Sequence, residues 1–126
     1  MNINAFRSKQ YEEVSKGIYS IVEAAGGRII KVILETCYWN DNEIEIACEI
    51  VKSAKAQFVK TSTGFSEHGA KTSHIKIMRN SVGDLFGVKA SGGIQTFDDV
   101  LKMIQAGANR IGTSSGTKII QEINAS

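Results

Sequence analysis

Residues 58–65, FVKTSTGF, and residues 87–93, GVKASGG, decide the fold. Each is a short β-prone run that carries one lysine and ends in a loop of Gly, Ser and Thr. Two further runs share this form, Lys31–Glu35 (KVILE) and Arg110–Ser114 (RIGTS), and the four runs start 27, 29 and 23 residues apart. The intervals carry apolar residues at helical spacing. Tyr11, Val14, Ile18, Ile21, Val22 and Ala25 share one face over 8–25, and Ile44, Ala47, Cys48, Val51 and Ala54 share one over 41–55. Residues 71–81 follow with Ile75, Met78 and Val82, and 96–106 with Phe97, Val100, Leu101 and Ile104. Strand and helix alternating at this spacing predict an α/β fold of right-handed βαβ units with a parallel sheet. The caps agree: Asn40–Glu43 opens one helix, Thr96–Asp99 opens another, and Gly26, Gly27 and Gly107 follow helix ends. Met1–Phe6 reads as the tail of a further strand. No linker is evident, and 1–126 is read as one domain.

Composition narrows the class. The 126 residues are 42% apolar and 22% charged, which suits a chain that buries a core. Fifteen basic against thirteen acidic residues leave a net charge of +2, too small and too evenly spread to argue for nucleic acid. No apolar run reaches the ~18 residues of a membrane span, and no signal-peptide core opens the chain. Cys37 and Cys48 form neither a disulfide framework nor a metal quartet, which predicts buried, reduced thiols in a cytoplasmic protein. His68 and His74 lack any ligand cluster and read as a solvated loop and helix. A complete (β/α)₈ barrel takes ~250 residues, so the chain is expected to form a partial TIM barrel of the parallel (β/α) barrel type.

The chemistry is expected in the lysines and the loops after them. A charged residue inside a parallel strand is costly unless it faces a polar pocket. Lys60 and Lys89 take matched places near the C-terminal ends of consecutive strands, the end where α/β sites form. Strands ~4.8 Å apart bring two ammonium groups together. Like charge and partial burial both favour the neutral amine, the form that attacks a carbonyl. The loops Thr61–Gly64, Ser91–Gly93 and Gly112–Gly116 each lie between a strand and a helix start. Glycine backbone there can approach a ligand closely, and the N–H groups with the helix dipole favour a phosphate. Glu35 is a candidate to orient a water or a lysine, with a plain salt bridge the alternative.

These blocks, with KVILETCYWND (31–41) and the run 87–115, resemble the class I deoxyribose-phosphate aldolases over about Asn2 to Ile120. The resemblance implies that Lys60 forms a Schiff base and that Lys89 is the second lysine, which tunes it and helps to move protons. It implies that Gly64, Gly92, Gly93, Gly112, Ser114 and Ser115 hold the phosphate of a sugar substrate. It implies reversible cleavage of 2-deoxy-D-ribose 5-phosphate to glyceraldehyde 3-phosphate and acetaldehyde, with no cofactor and no metal. By the same resemblance the chain corresponds to the C-terminal half of the barrel, strands 4–8. The family's relay aspartate falls two residues before Met1. Phe65 and Gln95 stand where some members carry a basic residue, and the tail 122–126 lacks a terminal tyrosine. The alternative function is a non-catalytic phosphate-binding half-barrel. Strand edges at Met1–Phe6 and Arg110–Ser114, with Ile33, Val59 and Val88 unsheltered on an inner face, predict a homo-oligomer.

Overall fold

The computed structural model describes residues 1–125. Four parallel strands, β1 (Lys31–Ile33), β2 (Phe58–Lys60), β3 (Gly87–Ser91) and β4 (Arg110–Gly112), lie in the order β1-β2-β3-β4. Helices α3 (Asp41–Ser53), α4 (Thr72–Val82) and α5 (Phe97–Ala106) connect them, α2 (Tyr11–Ala24) precedes β1, and α6 (Gly116–Ala125) follows β4. Each of α2 to α6 packs on the next, so the helices form one layer over one face of the sheet. This is the layout of part of a (β/α) barrel.

Register explains which residues form the core. Val32, Val59 and Val88 align across β1, β2 and β3, and Val59 and Val88 are 0% exposed beneath the helix layer. Burying each such side chain is worth roughly 1.5–3 kcal/mol. Ile33, Lys60, Lys89 and Arg110 align in the next row and face the opposite, open side. The expectation that Val59 and Val88 lie unsheltered on the inner face is therefore corrected. Alternation forces the outcome: a strand that turns Lys60 to the open face must turn Val59 to the helices.

Caps set the helix starts. Asn40 accepts from Glu43 N at 2.8 Å while Glu43 accepts from Asn40 N, and Thr96 and Asp99 form the same reciprocal pair. Each cap contributes about 1 kcal/mol.

Three further expectations change. Met1–Phe6 is not a strand: Ile3–Arg7 forms a short helix, α1, capped by Asn2, whose side chain accepts from Ala5 N at 3.1 Å. Phe6 is buried against the edge of Trp39, with ring centroids 4.8 Å apart, and adjacent Ala5 is buried too. The sheet thus has four strands among the described residues, and its edges are β1 and β4. On α5, Met103 and Ala106 are the buried positions, and Leu101 and Ile104 are exposed, as is Ile21 on α2. His74 is buried, 8% exposed, rather than solvated. Burial together with the charge of Lys71 holds its pKa below the ordinary value, against the opposing pull of Asp41. Both cysteines are free; Cys48 is buried and Cys37 half-buried. Burial pushes the Cys48 thiol up to about 12, which leaves it inert. Among the described residues no helix is long and apolar enough to cross a membrane.

Candidate active site

Lys60 ends β2 and pairs in register with Lys89 at the centre of β3. Their backbones are locked, because Leu34 N donates to Lys60 O at 2.9 Å and Thr61 N donates to Lys89 O at 3.1 Å. The Lys89 side chain passes over Gly112: a Cβ at that position would lie 3.1 Å from Lys89 Cε and 3.8 Å from Nζ. A side chain on β4 there would crowd the amine's path. Below the lysines the open face is floored by Phe58, with the Arg110 guanidinium stacked 4.5 Å from its ring centroid.

Four cations share this face. Burial holds the Lys89 ammonium below its ordinary pKa, and the charges of Lys31, Lys60 and Arg110 act in the same direction. Lys31 and Arg110 were not singled out in the sequence. Period-two alternation could have found them, since they lie on the same strand face as the two lysines.

The loops above the strands are tied together by hydroxyl groups. Thr61 Oγ1 donates to Ser91 O at 3.0 Å and accepts from Ser91 N at 3.1 Å, and Ser91 Oγ donates to Ser62 O at 2.8 Å. Gly64, Gly92 and Gly93 have φ of 95°, 86° and 75°, conformations that side chains resist. Thr113 Oγ1 donates to Ile94 O at 2.6 Å and joins the last two loops.

These loops enclose a cleft of about 400 Å³. Its wall contains Lys60, Gly64, Gly92, Gly93, Gly112 and Ser114, together with Thr63, Ser91, Ile94, Gln95 and Thr113. Six of the eight residues expected at the site thus meet in one wall. Lys89 is not part of the wall; its side chain runs beside Gly112, which is. Ser115 lies outside the wall: its N–H donates to Thr113 Oγ1, and its carbonyl accepts from Ile119 N in the first turn of α6. The start of α6 follows this loop, so its dipole adds positive potential there. A larger apolar cleft of about 510 Å³ lies at the free edge of β1 and contains neither lysine. Among the described residues no group of three or more His, Cys, Asp and Glu is placed to hold a metal ion.

Glu35 makes no ion pair with either lysine. Its buried carboxylate, 6% exposed, accepts from Thr63 N at 2.9 Å, Thr63 Oγ1 at 2.5 Å and Ser66 Oγ at 3.0 Å. Burial alone would raise its pKa; the bonds from Thr63 and Ser66 and the charge of Lys60 outweigh it and hold the carboxyl below its usual value.

Comparison with known proteins identifies the family. Residues 1–122 match the model of the DeoC/LacD family aldolases. The chain is 53% identical over 125 residues to a deoxyribose-phosphate aldolase of Caldanaerobacter subterraneus subsp. tengcongensis, covering 97% of this chain and 54% of that protein. It is 52% identical over 121 residues to the deoxyribose-phosphate aldolase of Thermotoga maritima, covering 96% and 49%. The chain therefore spans about half the length of these curated relatives. Among solved structures, the tetrameric deoxyribose-phosphate aldolase of Aeropyrum pernix superposes with a TM-score of 0.84 at 35% identity, covering 91% of this chain and 50% of that one. With two lysines in register beneath glycine loops and a family match over nearly its whole length, the chain belongs to the DeoC/LacD family of aldolases.

Proposed function

We propose that the chain carries the nucleophile and phosphate loops of a class I deoxyribose-phosphate aldolase. The pairing of Lys60 with Lys89 beside a glycine-walled cleft is the observation that carries this reading. The neutral Lys60 amine attacks the C1 aldehyde of open-chain 2-deoxy-D-ribose 5-phosphate. A C–N bond forms, the carbonyl oxygen takes up a proton, and loss of water leaves an iminium ion. The C2–C3 bond then breaks, its electron pair flows to the iminium nitrogen, and the C3 hydroxyl gives up its proton. Glyceraldehyde 3-phosphate leaves and an enamine remains on Lys60. Protonation at C2 and hydrolysis release acetaldehyde and restore the amine. Lys89, with its pKa held low by burial and three neighbouring cations, is suited to carry protons in these steps.

Gly64, Gly92, Gly93, Gly112, Ser114 and Ser115 are assigned to the phosphate, with Ser115 acting through the start of α6. The exposed Ile21, Ile29 and Ile120 support assembly into a homo-oligomer. Two free thiols suit a reducing compartment such as the cytoplasm.

The test is acetaldehyde release from 2-deoxy-D-ribose 5-phosphate by this chain. Lys89→Leu is expected to slow release at least ~100-fold, the lower end of the range for a lost general acid–base, while an imine at Lys60 still forms. Unchanged turnover in Lys89→Leu would refute the proton role. Phosphate binding without any imine would favour a non-catalytic phosphate-binding half-barrel.

A further inference from the structure

We propose that Glu35 is the positioning residue of the phosphate-binding loop, acting through Thr63 and Ser66 rather than on the reacting atoms. The inference rests on the phosphate reading of the cleft given above. Glu35 follows β1 with φ 59° and ψ 63°, a left-handed conformation that a residue with a side chain rarely adopts. On either side of it the chain is bonded to the end of β2, by Leu34 N to Lys60 O and by Thr36 N to Thr61 O, at 2.9 and 3.0 Å. The unusual backbone therefore lies beside the strand that carries the nucleophile.

The carboxylate collects three donors from a four-residue stretch, Thr63–Ser66, that contains Gly64 of the cleft wall. Within that stretch Phe65 N donates to Thr63 Oγ1 at 3.3 Å, and Ser66 Oγ lies 3.2 Å from Tyr38 Oη. The loop is thus hung on one buried anion. Without it, Thr63 N and two hydroxyl groups lose their shared acceptor, and nothing else on the loop is anionic except Glu67 beyond its end. Lys60 and Thr61 stay fixed by backbone bonds to Leu34, Thr36 and Lys89, so the loop can loosen while the nucleophile keeps its place.

That asymmetry separates a positioning role from a general structural one. In wild type, Glu35→Ala and Glu35→Gln, two quantities would be measured: the affinity for inorganic phosphate by calorimetry, and the yield of borohydride-trapped acetaldehyde on Lys60 by mass spectrometry. Glu35→Ala is expected to weaken phosphate at least tenfold and to leave the Lys60 adduct within twofold. Glu35→Gln keeps an acceptor for Thr63 N and is expected to fall between the two. Equal phosphate affinity in wild type and Glu35→Ala would overturn the inference and leave the phosphate reading intact. Joint loss of phosphate and adduct in folded Glu35→Ala would also overturn it, by showing a general structural role. Wild type that forms the adduct but binds no phosphate would overturn the phosphate reading and this inference together. Should Glu35→Ala fail to fold, Ser66→Ala removes one of the three bonds. It is expected to weaken phosphate about threefold, and an unchanged affinity would count against the proposal.

Discussion

The two ends of the sheet use polar groups in opposite ways. At the N-terminal ends of the strands, side chains hold the backbone of neighbouring loops. Gln57 accepts from Ile30 N at 2.6 Å, Asn109 accepts from Val88 N at 2.8 Å, and Arg79 donates to Gly83, Phe86 and Gly107 carbonyls at 2.6 to 2.9 Å. Arg79 also packs so closely over Gly107 that a Cβ there would lie 2.7 Å from its own. At the C-terminal ends, Glu35, Thr61, Ser91 and Thr113 also bond to loops, but those loops surround a cleft that Lys60 lines, with Lys89 paired to it in register. One end closes on itself and supports stability. The other holds a space open and keeps charge beside it, an arrangement that serves binding rather than stability.

Substitutions at the two ends should therefore separate stability from chemistry. Arg79→Ala removes a guanidinium from three carbonyls and is expected to cost about 2–3 kcal/mol. Denaturant titration measures that loss, and the adduct yield per folded molecule should not change; a fall in yield would break the division between the ends. Gly93→Val places a side chain where φ is 75° and is expected to weaken phosphate-bearing ligands about tenfold more than free deoxyribose. Equal losses for both ligands would move the phosphate elsewhere.

The smallest effect concerns the charge on the open face. Lys31→Met removes one cation near Lys89, so the Lys89 pKa should move back up toward its ordinary value, which a pH profile of the reaction reports. The sign also bears on stability. Between its lowered folded pKa and the ordinary value of 10.5, the unfolded chain binds more protons, so the contribution of Lys89 to stability rises with pH through that window. Lys31→Met should flatten this rise. An unmoved profile would show that neighbouring charge does not set the Lys89 proton.

Much of this contrast was legible in the sequence because it depends on short-range periods. The lysine in FVK and the lysine in GVK fall at matched places in two strands, and strand pairing then brings them together. The same alternation, applied one residue earlier, would have put Val59 and Val88 under the helices and Lys31 and Arg110 beside the lysines. Met1–Phe6 misled because Ile3 and Ala5 fall at strand spacing, whereas the Asn2 side chain, which accepts from Ala5 N, opens a helix there. The loop partners of Glu35 and Arg79 lay beyond sequence reading for another reason. Glu35 meets Thr63 and Ser66, and Arg79 meets Gly107, at 28 residues away or farther, and no local pattern encodes which distant loop a long side chain will meet. His74 is similar, since its burial is set by tertiary packing rather than by its own helix.

The central claim is that Lys60 is the nucleophile. Its most direct test is reduction with borohydride in the presence of acetaldehyde, followed by peptide mapping, in wild type and Lys60→Ala. Expected is a two-carbon adduct on Lys60 in wild type and none above background in Lys60→Ala. An undiminished adduct in Lys60→Ala, or one mapped to Lys89 in wild type, would contradict it.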